Sequence, residues 1–391
     1  MSPNPIWGND WEEVRGLWPL DPAAVHCNHG SFGAVPEPVY AVQETVRRRM
    51  VTNPVQWFHS DMTESVRDAR AEVARFFHAE PDDVAFVSNV TSGTSTVLQC
   101  LDLGPDDEIV VSDHIYGAVS LAVERLCGRT GARRVDVTIP YDTSDDDVVM
   151  AFGSRCSDRT ALVIVDQVTS ATARRFPVKR VTAAAHAVGA AVFVDGAHAA
   201  GMLPVDIPAI GADFWVGNLH KWPCAPAGTA VLWITPAWQE RIVPLVVSHA
   251  DLEGFPAAFD RLGTDDLSAW IASPHALCLL GQLGWDRVRA HNEALVVWAQ
   301  HAVADILGVS DNELRHDAGT SMAIVPLPHG LADTPKEARA LQDHLGVRQI
   351  MVAMPCFGDR GTIRLSAHVY NQPSDYERVG RGIREFMTTR P

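Results

Sequence analysis

AVFVDGAHAAGMLPVDIPAIGADFWVGNLHKWPCAPAGTAVLWI, residues 191–234, contains three apolar runs: AVFVDGAH (191–198), ADFWVGN (212–218) and TAVLWI (229–234). Unbroken runs of this kind read as strands covered on both faces, not as half-solvated ones. Two of them stop at polar residues. The first ends at Asp195, with His198 three residues on; the second ends at Asn218 and leads into His220 and Lys221. The lysine stands out, because Lys179, Lys221 and Lys336 are the only lysines and arginine supplies 29 of the 32 basic residues. Lys179 (RRFPVKR) and Lys336 (DTPKEAR) sit among charges, whereas Lys221 lies between a His and a Trp in an apolar stretch. An ammonium there costs free energy unless it is paired, or it sheds its proton and becomes a nucleophile.

Working outward, further strand-like runs precede this stretch: DDVAFVSNV (82–90), DEIVVSDH (107–114) and ALVIVDQV (161–168). VKRVTAAAHAVGA, just before AVFVDGAH, has helical periodicity, and PEPVYAVQETVRRRMV (36–51) reads as a helix with proline in its first turn. Strands alternating with helices predict an α/β fold with a mostly parallel, seven-stranded-type sheet. The tail differs: a helical stretch over 273–307, strand-like SMAIVPLP, a helix at EARALQDHL, strands QIMVAMP and TIRLSA, and a final helix from Pro373. That pattern predicts a smaller α+β domain. The expected division is an N-terminal segment (1–35) belonging to the small domain and active-site rim, a large domain (36–260) and a C-terminal domain (261–391).

Bulk properties narrow the function classes. At 391 residues and 47% hydrophobic, the chain can bury a large core. A formal charge of −16 argues against nucleic acid or an anionic membrane as main partner. No apolar run approaches the roughly 20 residues that span a bilayer. MSPNPIWGNDWEEVRG lacks the basic and apolar regions of a signal peptide, so a cytoplasmic protein is expected. Seven scattered cysteines without a CxxC pair fit reduced core thiols better than disulfides or zinc.

In an open α/β sheet, ligands bind beyond the carboxyl ends of the strands. AFVSNVTSGTSTVLQC (85–100) passes there from a strand into a helix. Val90, Thr91, Ser92 and the helix N-terminus could hold a phosphate, or could simply form a cap and turn. Neither a dinucleotide fingerprint nor a Walker loop is present. Asp195 is a turn former or a carboxylate for a cofactor ring nitrogen. His114 and Tyr116 (SDHIYGAV), and Gln167 and Ser170 (DQVTS), occupy further strand ends. Singly each reads as structural; as a set they meet the needs of pyridoxal 5′-phosphate. That cofactor requires a lysine for a Schiff base, a carboxylate beside its pyridine nitrogen, an anion site and a flat group stacked on the ring. Lys221 would also take the substrate Cα proton.

The chain resembles fold-type I pyridoxal-phosphate enzymes of the class V aminotransferase group, which includes cysteine desulfurases. It is most similar there to isopenicillin N epimerase-like proteins. CNHGSFGAVPEPV, TNPVQWF, NVTSGTS, DHIYGAV, VDGAHAAG, NLHKWPCAPAGTAVLW, LGTDDLSAW and IRLSAHVYN carry the resemblance, in order, over nearly the whole chain. It implies Lys221 as the Schiff-base lysine and Asp195 as the pyridinium partner. The phosphate falls to Thr91 and the Val90 amide, with Asn218 and His220 completing that site. His114 stacks on the ring unless Tyr116 takes that place. Gln167 and Ser170 touch the cofactor's hydroxyl side, and His198 neighbours Asp195. Thr264 would reach the phosphate of a second subunit, which implies a homodimer with active sites at the interface. Arg364 would grip the substrate α-carboxylate, as a bidentate fork suits it. Asn28 and His29 would touch substrate or serve as a cap and turn. Trp57, Phe58, His59 and Trp222 line an entrance or pack.

One departure bears on the reaction. Cysteine desulfurases carry a nucleophilic cysteine shortly before the arginine, but VAMPCFGDRG lacks the glycine-rich context, and Cys356 reads as a core thiol. The expected reaction is C–S β-elimination from an S-substituted cysteine, which demands only Lys221 and a leaving group. Epimerisation needs a second proton carrier, His114 or Tyr116. Transamination and decarboxylating deamination start from the same proton or bond loss at Cα, and a non-catalytic scaffold is the reading from another class.

Overall fold

The computed structural model describes residues 11–358 and 360–389. The chain divides into two compact units, one made of 38–169 and 176–279, the other of residues up to 37, 170–175 and 280 onward. In chain order the strands are β1 (Val25–His26), β2 (Val84–Val87), β3 (Glu108–Ser112), β4 (Arg133–Val137), β5 (Thr160–Asp166), β6 (Ala191–Asp195), β7 (Phe214–Asn218), β8 (Ala230–Ile234), β9 (Met322–Pro326), β10 (Ile350–Met351), β11 (Cys356–Phe357) and β12 (Arg360–Ser366).

The first unit is built on a seven-stranded sheet in the order β2-β8-β7-β6-β5-β3-β4. All pairings are parallel except those of β8, which runs antiparallel to both β2 and β7. This is the expected α/β class, and the physical reason is visible in burial: β2, β3, β6, β7 and β8 are buried at every position. The six apolar runs read from the sequence all form strands of this sheet. β4, RRVDV, was not among them. It is an edge strand whose charged, mostly solvated residues dilute the apolar signal while blunting the edge against further pairing.

Parallel connections place the ends of β3, β5, β6 and β7 on one side of the sheet, and β2 points the same way. Between β5 and β3 the order of winding reverses, the position where such sheets open a crevice. The helix Val90–Cys100 follows β2 and is capped by Asn89, whose side chain accepts the Ser92 N–H. It lies close on the sheet because position 93 is glycine: a Cβ there would sit 2.7 Å from Val216 Cγ2.

The second unit has its own core, with Leu295, Val303, Val325, Leu341, Ile363 and Tyr376 among its members. β9 and β12 pair antiparallel with β11 on the far edge of β12, and β1 pairs parallel with β10. The helical stretch expected over 273–307 is two helices, Ser268–Leu283 and Trp285–Leu307. They part at Gly284, whose φ of 88° a residue with a side chain adopts only under strain. Among the described residues, no helix is long and apolar enough to cross a membrane.

Candidate active site

The sheet-bearing unit gathers the cofactor-site candidates at the strand ends. β6 ends in Asp195, which is buried and whose Oδ1 accepts the Ala197 N–H at 2.9 Å. Burial pushes its carboxyl above the usual range, while the Ala197 N–H and the Lys221 ammonium pull the other way. Lys221, three residues beyond β7, is half-buried, with Nζ 3.2 Å from His198 Nε2. Lys221, Asp195 and His198 therefore form one electrostatic group. His220 is held neutral at ordinary pH, its pKa lowered to about 4 by burial and by Lys221; its Nδ1 accepts the Thr229 N–H.

The helix start next to them is wired to β7. Asn218 Oδ1 accepts the Val90 N–H at 3.0 Å, and Asn89 Oδ1 accepts the Ser92 N–H at 2.8 Å. Thr91, between the two, is exposed. The exposed side chain at this helix end is thus that of Thr91, with the Val90 and Ser92 N–H groups engaged in fixing it.

At the other strand ends, His114 is buried and its Nε2 donates to the Ile139 carbonyl at 2.7 Å, which fixes the ring's tautomer at that nitrogen. Its ring meets Phe176 edge-on at 5.3 Å. Tyr116 stands at the N-cap of the helix Gly117–Thr130 with its side chain 44% exposed. Gln167 is buried; its Oε1 accepts the Trp215 indole N–H at 2.9 Å, and its N–H donates to the Asp195 carbonyl at 2.8 Å. Trp215 is in turn accommodated by glycine at 196 and 217, where a Cβ would overlap its ring.

Trp57 and Trp222 are fully buried and pack, whereas Phe58 and His59 line a cavity of about 750 Å³ shared with His249, Arg261 and Thr264. Thr264 is exposed there.

The other unit contains the arginine. Arg364, on β12, is buried, and its Nη1 donates to the Ser170 carbonyl at 2.6 Å and the Ser170 Oγ at 3.2 Å. Nη2 donates to Ser31 Oγ at 2.8 Å and Asn28 Oδ1 at 3.3 Å. These four acceptors are neutral oxygens that orient the guanidinium. Ser170 and Asn28 are accordingly assembled around Arg364. His29 is buried, with Nδ1 2.7 Å from the Tyr370 hydroxyl and its ring stacked on His368 at 4.3 Å. Cys356 forms β11 with Phe357; its side chain lies outside the described residues, and with it the expected core thiol.

Several contributors were missed in the sequence: Asn89 and Trp215, which hold expected residues in place, Ser31, which shares Arg364, and Asp166. Asp166 ends β5 directly opposite Asp195 in the register, is 3% exposed, and its Oδ2 has no hydrogen-bond partner.

The donor set suits pyridoxal 5′-phosphate: a buried carboxylate in want of a cation, an amine beside it, and a helix end with an exposed hydroxyl. The family model for aminotransferase class-V matches residues 34–379. The chain belongs to that family. It is an enzyme whose cofactor is pyridoxal 5′-phosphate. Among relatives of this class-V enzyme, isopenicillin N epimerase of Streptomyces clavuligerus is 29% identical over 96% of the chain and 98% of its own length. A probable chloroplastic L-cysteine desulfhydrase of Arabidopsis thaliana is 29% identical over 93% of the chain and 83% of its own. Among solved structures, the cysteine desulfurase CsdA of Escherichia coli superposes with a TM-score of 0.79 at 19% identity, covering 97% of this chain and 98% of that one. The cystine C–S lyase C-DES, in complex with cysteine persulfide, gives 0.77 at 18%, with 92% and 96% covered.

Proposed function

We propose that this class-V enzyme is a C–S β-lyase acting on an S-substituted cysteine. The observation that carries the reading is the 3.2 Å approach of Lys221 Nζ to His198 Nε2, which pairs one proton carrier with a relay partner. Elimination needs one proton carrier at Cα; epimerisation needs two. Lys221, beside His198 and Asp195, supports the one-carrier reaction.

When bound, pyridoxal phosphate supplies an aldehyde for an amine and a sink for the electrons of a bond broken at the substrate Cα. The chain's residues supply the rest. Asp195 keeps a proton at the pyridine nitrogen; Thr91 and the helix dipole hold the phosphate. Lys221 Nζ takes the Cα proton, with His198 Nε2 as the adjoining acceptor or donor. The Cβ–S bond then breaks, and with one water the substrate yields a thiol, pyruvate and ammonia. The Arg364 fork, preset by Ser170, Ser31 and Asn28, binds the α-carboxylate.

Homodimerisation belongs to the same reading. Exposed Val243, Leu245, Val246, Val247 (80%) and Leu252 (98%) lie near the Thr264 cavity in sequence or space, a costly apolar surface for a monomer. We place the enzyme in the cytoplasm, in keeping with free cysteines at 27, 100, 127, 156, 224 and 278.

The full-length likeness to isopenicillin N epimerase favours epimerisation as the second reading. One experiment separates them: S-substituted cysteines are incubated with the holoenzyme in deuterated water. Pyruvate and ammonia in equal amounts support the lyase. Recovered substrate with deuterium at Cα, inverted configuration and no pyruvate would replace it with the epimerase.

A further inference from the structure

β5 and β6 are parallel and in register so that Asp166 faces Asp195. Residues paired in this way project from the same face of a sheet. Both carboxyls are buried, and each strand ends at its own aspartate. One oxygen of Asp166 is used structurally, accepting the Tyr116 N–H where the chain turns into the next helix. Its other oxygen, Oδ2, is buried without a partner. Two facing carboxylates cannot both stay ionised in such a place at acceptable cost, and burial together with Asp195 raises the Asp166 carboxyl well above the usual range. Titratable or charged groups on the neighbouring elements include Lys221 and His198 beyond Asp195, and Asp113 and His114 after β3. Lys221 pulls Asp195 toward its charged form. The asymmetry therefore assigns the proton to Asp166 and the charge to Asp195.

We propose that Asp166 is a positioning residue for the cofactor: it keeps its proton on Oδ2 and holds Asp195 as the single negative charge of the pair. Asp195 is the group that meets the pyridine nitrogen, so this inference rests on the cofactor site described above. A protonated acid at 166 donates where an ionised one would repel, which keeps Asp195 ionised and aimed.

The test compares wild type with Asp166→Asn, a neutral donor of the same shape, and Asp166→Leu, which has the shape but no donor. Dissociation constants for pyridoxal 5′-phosphate are measured by absorbance titration, and thermal unfolding of the cofactor-free proteins is followed at pH 5 and pH 8. An acid whose pKa is raised in the fold loses stability for the protein as pH climbs above its unfolded value. The midpoint of Asp166→Asn should therefore exceed wild type by more at pH 8 than at pH 5. Cofactor affinity of Asp166→Asn should stay within about threefold of wild type, while Asp166→Leu weakens it about tenfold or more, the worth of one hydrogen bond to a charged group. The proposal is overturned if Asp166→Asn loses affinity as Asp166→Leu does, if neither loses it, or if the midpoint difference does not change with pH. The unfolding arm needs no cofactor, so it fails or stands separately from the functional reading, and it survives a Leu variant that does not fold.

Discussion

Gly93→Ala puts the geometry of the proposed phosphate end under direct strain. The added Cβ would lie 2.7 Å from Val216 Cγ2 and 3.3 Å from Val87 Cγ2, where ordinary contact begins at roughly 3.4 Å. Val216 and Val87 are buried strand residues that cannot retreat, so the helix Val90–Cys100 must lift. Overpacking of one methyl group in such a place costs about 1–3 kcal/mol. Part of that is offset by the better helix propensity of Ala, worth about 0.5–1 kcal/mol. Gly128→Ala is the control: it has the same propensity gain in the helix Gly117–Thr130, with no atom within 4 Å of the new Cβ. Gly93→Ala should lower the unfolding midpoint of the apoprotein by a few degrees, and Gly128→Ala should leave it equal or raised. Because Thr91 rides on the lifted helix, cofactor affinity should also fall about tenfold or more in Gly93→Ala alone, as a displacement near 1 Å does at organised sites. If the two variants behave alike in both assays, the account of how this helix is seated and what it holds is wrong.

Two further outcomes follow from the site. His220 is neutral in the fold with a pKa of about 4 against an unfolded value near 6.5, so the unfolded chain binds more protons in that window and stability falls as pH drops through it. His220→Gln should flatten the stability curve between pH 6.5 and 4 by at most about 3 kcal/mol, read by denaturant unfolding, and leave it unchanged above pH 7. Arg364→Lys replaces a fork held by Ser170, Ser31 and Asn28 with a single ammonium, and should raise KM for the amino acid about tenfold or more while cofactor affinity holds, measured by steady-state kinetics and absorbance titration.

The parts of this protein that the sequence makes legible are those whose signal is local. Asp195 and Lys221 stand out because each interrupts or follows an apolar run, and the six buried strands announce themselves through unbroken hydrophobicity. β4 escaped because an edge strand is free to carry Arg133, Arg134 and Asp136, which erase that signal. The stretch 273–307 looked continuous, since one glycine breaks a helix without disturbing the apolar pattern around it. Long-range bonds are the main loss. Val90 spends its N–H on Asn218, 128 residues away, and that pairing decides which backbone groups remain for a phosphate. Asp166 has the same local appearance as Asp195, an acid closing a buried strand, and only the register of β5 on β6 gives it meaning.

The central claim is a covalent one, and the chain's three lysines make it unusually easy to test. Holoenzyme reduced with borohydride, digested and mapped by mass spectrometry should carry the reduced pyridoxyl phosphate adduct on the peptide containing Lys221 and on no other. An adduct on Lys179, on Lys336 or on the N-terminal amine, with Lys221 unmodified, would contradict the account.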